Sequence, residues 1–185
     1  MLQLAAILEL ILCWIAWMLV FVRARRTAAG QQKVVRASAS LWGIGLQGIG
    51  FFCVFFRVRP AHLHKSAAPL IASMLLAPAS VALARAATRH LGKQWRYEAA
   101  LSPNHELIQT GPYHFLRHPI YASMFMMLLS AGFCLTWWPM FLLGIAFFLA
   151  GAEVRVRAEE RLLAQHFPAY ADYRTRTSAY IPFLR

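Results

Sequence analysis

The sequence predicts an all-α integral membrane protein with about five transmembrane helices, the last two forming a helical hairpin. Three observations carry that expectation. Hydrophobic residues make up 59% of the 185 and fall in long unbroken blocks, where a soluble core would show spaced apolar positions. The basic residues lie between those blocks. No useful length of chain alternates polar and apolar residues with the period of a strand.

The first block, residues 2–22, holds Glu9 and is followed, not preceded, by Arg23, Arg25 and Arg26. That order, with no convincing small-residue cleavage pattern, reads as a retained span that starts outside, not as a secretory signal. Residues 38–56 and 67–87 form the second and third spans. The third contains Pro69 and Pro78, tolerable where neighbouring helices re-satisfy the backbone. Residues 88–118 are the one long polar stretch. Span four covers 119–135, and Trp137, Trp138 and Pro139 make a tight turn at the headgroup level. Span five covers 140–151 and runs without a breaker into a charged helix over 153–166. The whole is one membrane domain: three N-terminal spans over 1–87, a polar loop over 88–118, a hairpin over 119–151, and a charged C-terminal helix and tail over 152–185.

The net charge of +12 would suggest an acidic partner in a soluble protein. Here topology explains it, and nucleic acid is excluded because no basic stripe carries a recognition motif. Lys and Arg number five in 23–36, five in 85–117 and six in 155–185, against three in 57–65. The asymmetry puts the polar stretch and the C-terminus in the cytoplasm of an expected bacterial inner membrane. Cys13, Cys53 and Cys134 each sit inside an apolar block without metal or redox spacing, so they read as small buried hydrophobes, and no metal ligands are expected. Gly43–Gly48 spells GxGxxG, but no strand precedes it. Small residues in a span instead allow close helix packing.

Two clusters carry candidate chemistry. The first is His105, Glu106, Leu107 and Ile108, then Thr110, Gly111, Pro112 and Tyr113, then Arg117, His118, Pro119, Ile120 and Tyr121. Gly111-Pro112 signals a turn. Pro119 suits the first helical position, which puts His118 at the boundary of span four and Tyr121 on its first turn. Free N–H groups at that helix start suit a carboxylate. Taken singly, Arg117, His118 and Tyr121 also fit interfacial anchors. The second cluster is Arg155, Glu159, Glu160 and Arg161. Arg155 and Glu159 are four apart and share a face, while Glu160 is rotated about 100° from Glu159. A solvated helix with salt bridges competes there with a functional site, since charges that emerge directly from a span need a polar environment.

Three segments together resemble the isoprenylcysteine carboxyl methyltransferase family, within a wider group that includes phospholipid N-methyltransferases. They are HELIQTGPYHFLRHPIYAS, RVRAEERLLAQHF and FPAYADYRTRTSAYIPF, in the family's order, and the resemblance runs from Gly92 to the C-terminus. It implies S-adenosyl-L-methionine as cofactor, S-adenosyl-L-homocysteine as product, and a lipophilic acceptor that enters from the bilayer. It places the cofactor against His105, Glu106, Leu107, Ile108, Gly111, Tyr113, Arg117, His118, Pro119, Tyr121 and Glu159, with Gln94 or Glu98 at one further contact. It places Arg155 at the methyl acceptor, with Glu159 and Glu160 completing the catalytic group. The implied reaction is O-methylation of an isoprenylcysteine-like carboxylate. N-methylation of phosphatidylethanolamine is the alternative, with Glu160 or His118 as base, and a scaffold with a degenerate site is the non-enzymatic one. Ile108-Gln109 and His114-Phe115 depart from the family's usual residues. The sequence names neither the acceptor nor an oligomeric state.

Overall fold

The computed structural model describes residues 1–28, 35–36, 39–56, 66–95, 100–101 and 106–181. Five apolar helices dominate: α1 (Leu2–Ala28), α2 (Ala39–Phe56), α3 (Ala67–Leu91), α4 (Pro119–Leu135) and α5 (Trp138–His166), with a short α6 (Tyr170–Arg176) behind them. Three of them, α1, α3 and α5, are long and apolar enough to cross a membrane. The shorter α2 and α4 are equally apolar. At 1.5 Å per residue, the 17 residues of α4 reach about 26 Å, close to the ~30 Å hydrocarbon thickness.

Span four begins and ends where the sequence placed it. The turn after it does not: Thr136 and Trp137 make the connection, and Trp138 and Pro139 already open α5. Proline's fixed φ and missing N–H make it a helix starter there, not a turn residue. Span five and the charged segment are one continuous helix. Strand is confined, among the described residues, to two antiparallel two-residue pieces, β1 (Val35–Arg36) and β2 (Ala100–Leu101).

Two packing surfaces build the bundle. Helix α3 lays a stripe of small buried residues, Ser73, Ala77, Ser80 and Ala84, against α4. Between apolar surfaces in lipid, such stripes pack by close approach and by hydrogen bonds. Ser80 Oγ donates to the Ser123 carbonyl at 2.7 Å and Ser130 Oγ to the Ser73 carbonyl at 3.0 Å.

The second surface joins α2 and α5 in antiparallel fashion. A Cβ on Gly50 would lie 2.8 Å from the Gly144 carbonyl oxygen, and one on Gly151 would lie 2.6 Å from the Gly43 carbonyl oxygen. Gly43 and Gly50 are therefore the packing glycines, whereas Gly45 and Gly48 face open space. The literal GxGxxG is incidental; the seven-residue spacing of Gly43 and Gly50, matched by Gly144 and Gly151, makes the seam.

Helices α4 and α5 do form an antiparallel hairpin, but mainly through large side chains. Phe133 meets Phe141, and Phe125 stacks on Phe148. Outward faces of α1 and α2 expose Leu4, Leu8, Leu12, Trp42 and Phe52, as a lipid-facing surface should.

The polar connections gather at one end of this bundle. β1, between α1 and α2, pairs with β2, between α3 and α4. Leu116 bridges Ser178 of the tail. The three basic-rich stretches thus share one end, and the candidate residues lie there.

Candidate active site

The site is assembled where the loop before α4 meets the polar end of α5. Gly111 has φ +60°, and a Cβ there would run into the His90 imidazole, so the chain can reverse at this point only as glycine. A 3-10 turn over Gly111–His114 follows and buries Tyr113. The Tyr173 hydroxyl donates to the Tyr113 carbonyl at 2.6 Å. The tail then straps the loop: Arg117 N–H donates to the Ser178 carbonyl and His118 N–H to that of Ala179, both at 2.8 Å. One N–H of the anticipated carboxylate seat is therefore already used by the chain itself.

Arg117, His118 and Tyr121 reach α5 together. Arg117 Nε meets Glu160 Oε1 at 2.9 Å, with the two side chains 1% and 6% exposed. The Arg117 guanidinium also donates to the Arg174 and Thr177 carbonyls. His118 Nδ1 lies 3.2 Å from Glu159 Oε2, and its Nε2 lies 3.5 Å from Glu160 Oε1, the latter an electrostatic approach longer than a good hydrogen bond. Arg174 approaches the other Glu160 oxygen at 3.8 Å. The Tyr121 hydroxyl donates to Glu159 Oε1, and the Arg155 guanidinium sits 4.9 Å over the Tyr121 ring. Arg155 and Glu159 share a face as their spacing requires, and Tyr121 organises both.

Burial alone would push the His118 pKa down. The contact with Glu159 and the negative charges of Glu159 and Glu160 outweigh it, so the imidazole titrates above its usual value and favours the cation. Tyr113 is held well above the usual phenol value by burial and by the Glu159 charge. Burial pushes Tyr173 up to about 12. Both phenols stay neutral donors at ordinary pH.

Of the other sequence candidates, Pro119 is buried at the start of α4. Leu107 and Ile108 are half-buried and Glu106 is exposed. Glu106 N–H donates to Gln94 Oε1 at 2.9 Å, so Gln94 shapes this loop. His105 and Glu98 lie outside the described residues.

The sequence reading missed Gln47. It lies on α2, fully buried, and its Oε1 accepts from Arg155 Nη1 at 2.9 Å. The available signal was an amide in an otherwise apolar span, which is costly there unless it has a partner. Arg174 and the Ser178–Ala179 strap were also missed, because the carbonyls of all three meet Arg117 or His118 more than forty residues away in sequence.

The family model for isoprenylcysteine carboxyl methyltransferases matches residues 71–165, just over half of the chain, from within α3 to just past the Glu159–Glu160 pair. The chain belongs to the isoprenylcysteine carboxyl methyltransferase family. The match begins within α3, upstream of Gly92 where the resemblance of the three motifs began, and it stops short of the tail. It makes this chain one of a family of membrane methyltransferases and a multi-pass membrane protein. Among curated relatives, it is 38% identical over 80 residues to the nickel-cobalt-cadmium resistance protein NccN of Alcaligenes xylosoxydans xylosoxydans, covering 43% of this chain and 37% of that protein. It is 37% identical over 82 residues to the cobalt-zinc-cadmium resistance protein CzcN of Cupriavidus metallidurans, covering 44% and 38%. The chain thus spans under two-fifths of the length of either relative.

Proposed function

We propose that this chain uses S-adenosyl-L-methionine to methylate the carboxylate of a lipophilic, isoprenylcysteine-like acceptor. One observation carries the reading: a buried arginine, Arg155, is held over the Tyr121 ring one helical turn from Glu159. A cation at that depth suits an anionic ligand, and Arg155 is aimed there by the Tyr121 ring and by Gln47 Oε1 at 2.9 Å.

The donor set suits the cofactor. Glu159 is a carboxylate 25% exposed, oriented by Tyr121 and His118, which matches an ammonium group. His118 Nε2 is buried and makes only the 3.5 Å approach to Glu160 Oε1, without a hydrogen bond among the described residues. Gly111 lets the loop turn tightly against the His90 imidazole, which a side chain would block, and so sets the course of the chain into Tyr113. When bound, the cofactor supplies a sulfonium methyl; transfer forms one C–O bond, breaks one C–S bond and releases a neutral thioether, with no proton to move.

The chain's own work is positioning. Arg155 holds the acceptor carboxylate by charge-assisted hydrogen bonds, and its stacking on Tyr121 limits its freedom. Glu160, Arg117 and His118 clamp the start of α4 to α5, keeping Tyr121 and Glu159 in register. Fixing acceptor and methyl in line is worth several kcal/mol. An amine acceptor such as phosphatidylethanolamine would need a base, and Glu160 is already committed to Arg117, His118 and Arg174. That favours the carboxylate. The acceptor would arrive from the bilayer and the cofactor from the cytoplasm, with the basic end of the bundle inside.

The relatives' names attach them to metal resistance. By family membership, methyl transfer is this chain's proposed contribution to any such system. The test is titration of purified protein with S-adenosyl-L-homocysteine, followed by assay of methyl transfer to N-acetyl-S-farnesylcysteine and to total lipid extract. Binding plus a base-labile methyl ester is expected. No binding at millimolar ligand would leave only a scaffold. Base-stable methylated phosphatidylethanolamine would make the protein an N-methyltransferase.

A further inference from the structure

Helix geometry brings Gln47 and Arg155 to each other. Side chains lean toward the N-terminus of their own helix. Helix α2 starts at the polar end and α5 finishes there, so Gln47 leans up toward that end while Arg155 leans down into the bundle. Gly43 and Gly151 remove the Cβ atoms that would keep the two helices apart, and the Arg155 stem lies against Gly43.

A guanidinium has only donors. The Gln47 amide must therefore present its oxygen to Arg155, as it does at 2.9 Å. That leaves Gln47 Nε2 as a buried donor, and it has no hydrogen-bond partner among the described residues. Buried polar groups are nearly always satisfied, and an orphan donor calls for an explanation.

We propose that Gln47 Nε2 is the second donor of the acceptor site and binds the substrate carboxylate beside Arg155. This rests on the carboxylate-acceptor reading above. One oxygen of the carboxylate takes the guanidinium, the other takes the amide N–H, and the acceptor is thereby oriented as well as neutralised. An ester product is neutral and has lost the charge that both donors favour, so the same pair discriminates acid from product. Gln47 is then a specificity-determining residue of the site, contributed by a helix outside the matched family segment.

The test compares binding of N-acetyl-S-farnesylcysteine and of its carboxamide to the full chain in detergent. Wild type should favour the acid by tenfold or more. Gln47→Met, which keeps the volume and removes both polar atoms, should cut that preference to threefold or less. Gln47→Glu, which still accepts from Arg155 but has lost the donor, should do the same. S-adenosyl-L-homocysteine affinity should stay within about twofold in both variants, which also reports that they are folded. A Gln47→Glu protein that keeps the full acid preference would show that Gln47 only holds Arg155, and would overturn the proposal. A Gln47→Met protein that keeps it would do so as well. If wild type binds the homocysteine product but does not prefer acid to amide, the carboxylate-acceptor reading itself fails. If wild type binds no S-adenosyl-L-homocysteine, the methyltransferase reading fails first.

Discussion

Replacing Glu160 by Gln separates the two adjacent carboxylates of α5. Glu160 is 6% exposed, and its partner Arg117 is 1% exposed at 2.9 Å. The substitution keeps the shape and leaves Arg117 buried without a counter-charge. Removing one partner of a buried pair costs about 3–5 kcal/mol. Arg117 keeps the Arg174 and Thr177 carbonyls, so the lower end applies, about 3 kcal/mol. For a chain of this length that is ~6–12 °C in Tm, read by thermal unfolding in detergent at a fixed scan rate. The double variant Arg117→Met/Glu160→Leu removes both charges and should recover more than half of the loss, since apolar replacement of a whole buried pair is close to neutral. Glu159→Gln, at the quarter-exposed neighbour, should shift Tm by only a degree or two and weaken S-adenosyl-L-homocysteine about tenfold or more. A Glu160→Gln protein with unchanged Tm and no methyl transfer would refute the division of roles and make Glu160 part of the chemistry.

Arg155→Lys should lower turnover at least a hundredfold, the scale seen when one preorganised donor is lost, while homocysteine-product affinity changes less than about threefold; equal loss of both would place Arg155 at the cofactor instead. Because the folded-state pKa of His118 is raised, its stabilising effect is complete below the unfolded value near ~6.5 and is lost as pH rises through the higher folded value. Tm should therefore fall across that window, and His118→Gln should flatten the profile; an identical slope in the variant would deny the linkage. Gly50→Ala drives a Cβ into the Gly144 carbonyl at 2.8 Å and should cost about 1–3 kcal/mol of overpacking. Gly48→Ala meets nothing within 4 Å and should leave Tm unchanged or slightly higher, a contrast that thermal unfolding of the pair checks directly.

Much of the molecule is legible in the order of its residues because lipid imposes rules that act locally. A span must be a helix whose length matches the bilayer, so five apolar helices could be marked from composition, and span four was marked to the residue by Pro119. Helical periodicity put Arg155 and Glu159 on one face. Local turn chemistry put Gly111 and the His118–Pro119 boundary in place. The pairings between helices are another matter, because they depend on which face meets which neighbour. Nothing local distinguishes Gly43 and Gly50, which pack, from Gly45 and Gly48, which do not. Nothing local says that Glu160 serves Arg117 while Glu159 serves Tyr121, since adjacent residues on a helix differ only by a rotation of about 100°. By itself the sequence determined a helical membrane protein with a methyltransferase's motifs. Only the tertiary structure brought Gln47 to Arg155, because a contact across 108 residues exists only once α2 and α5 have closed on their glycine seam.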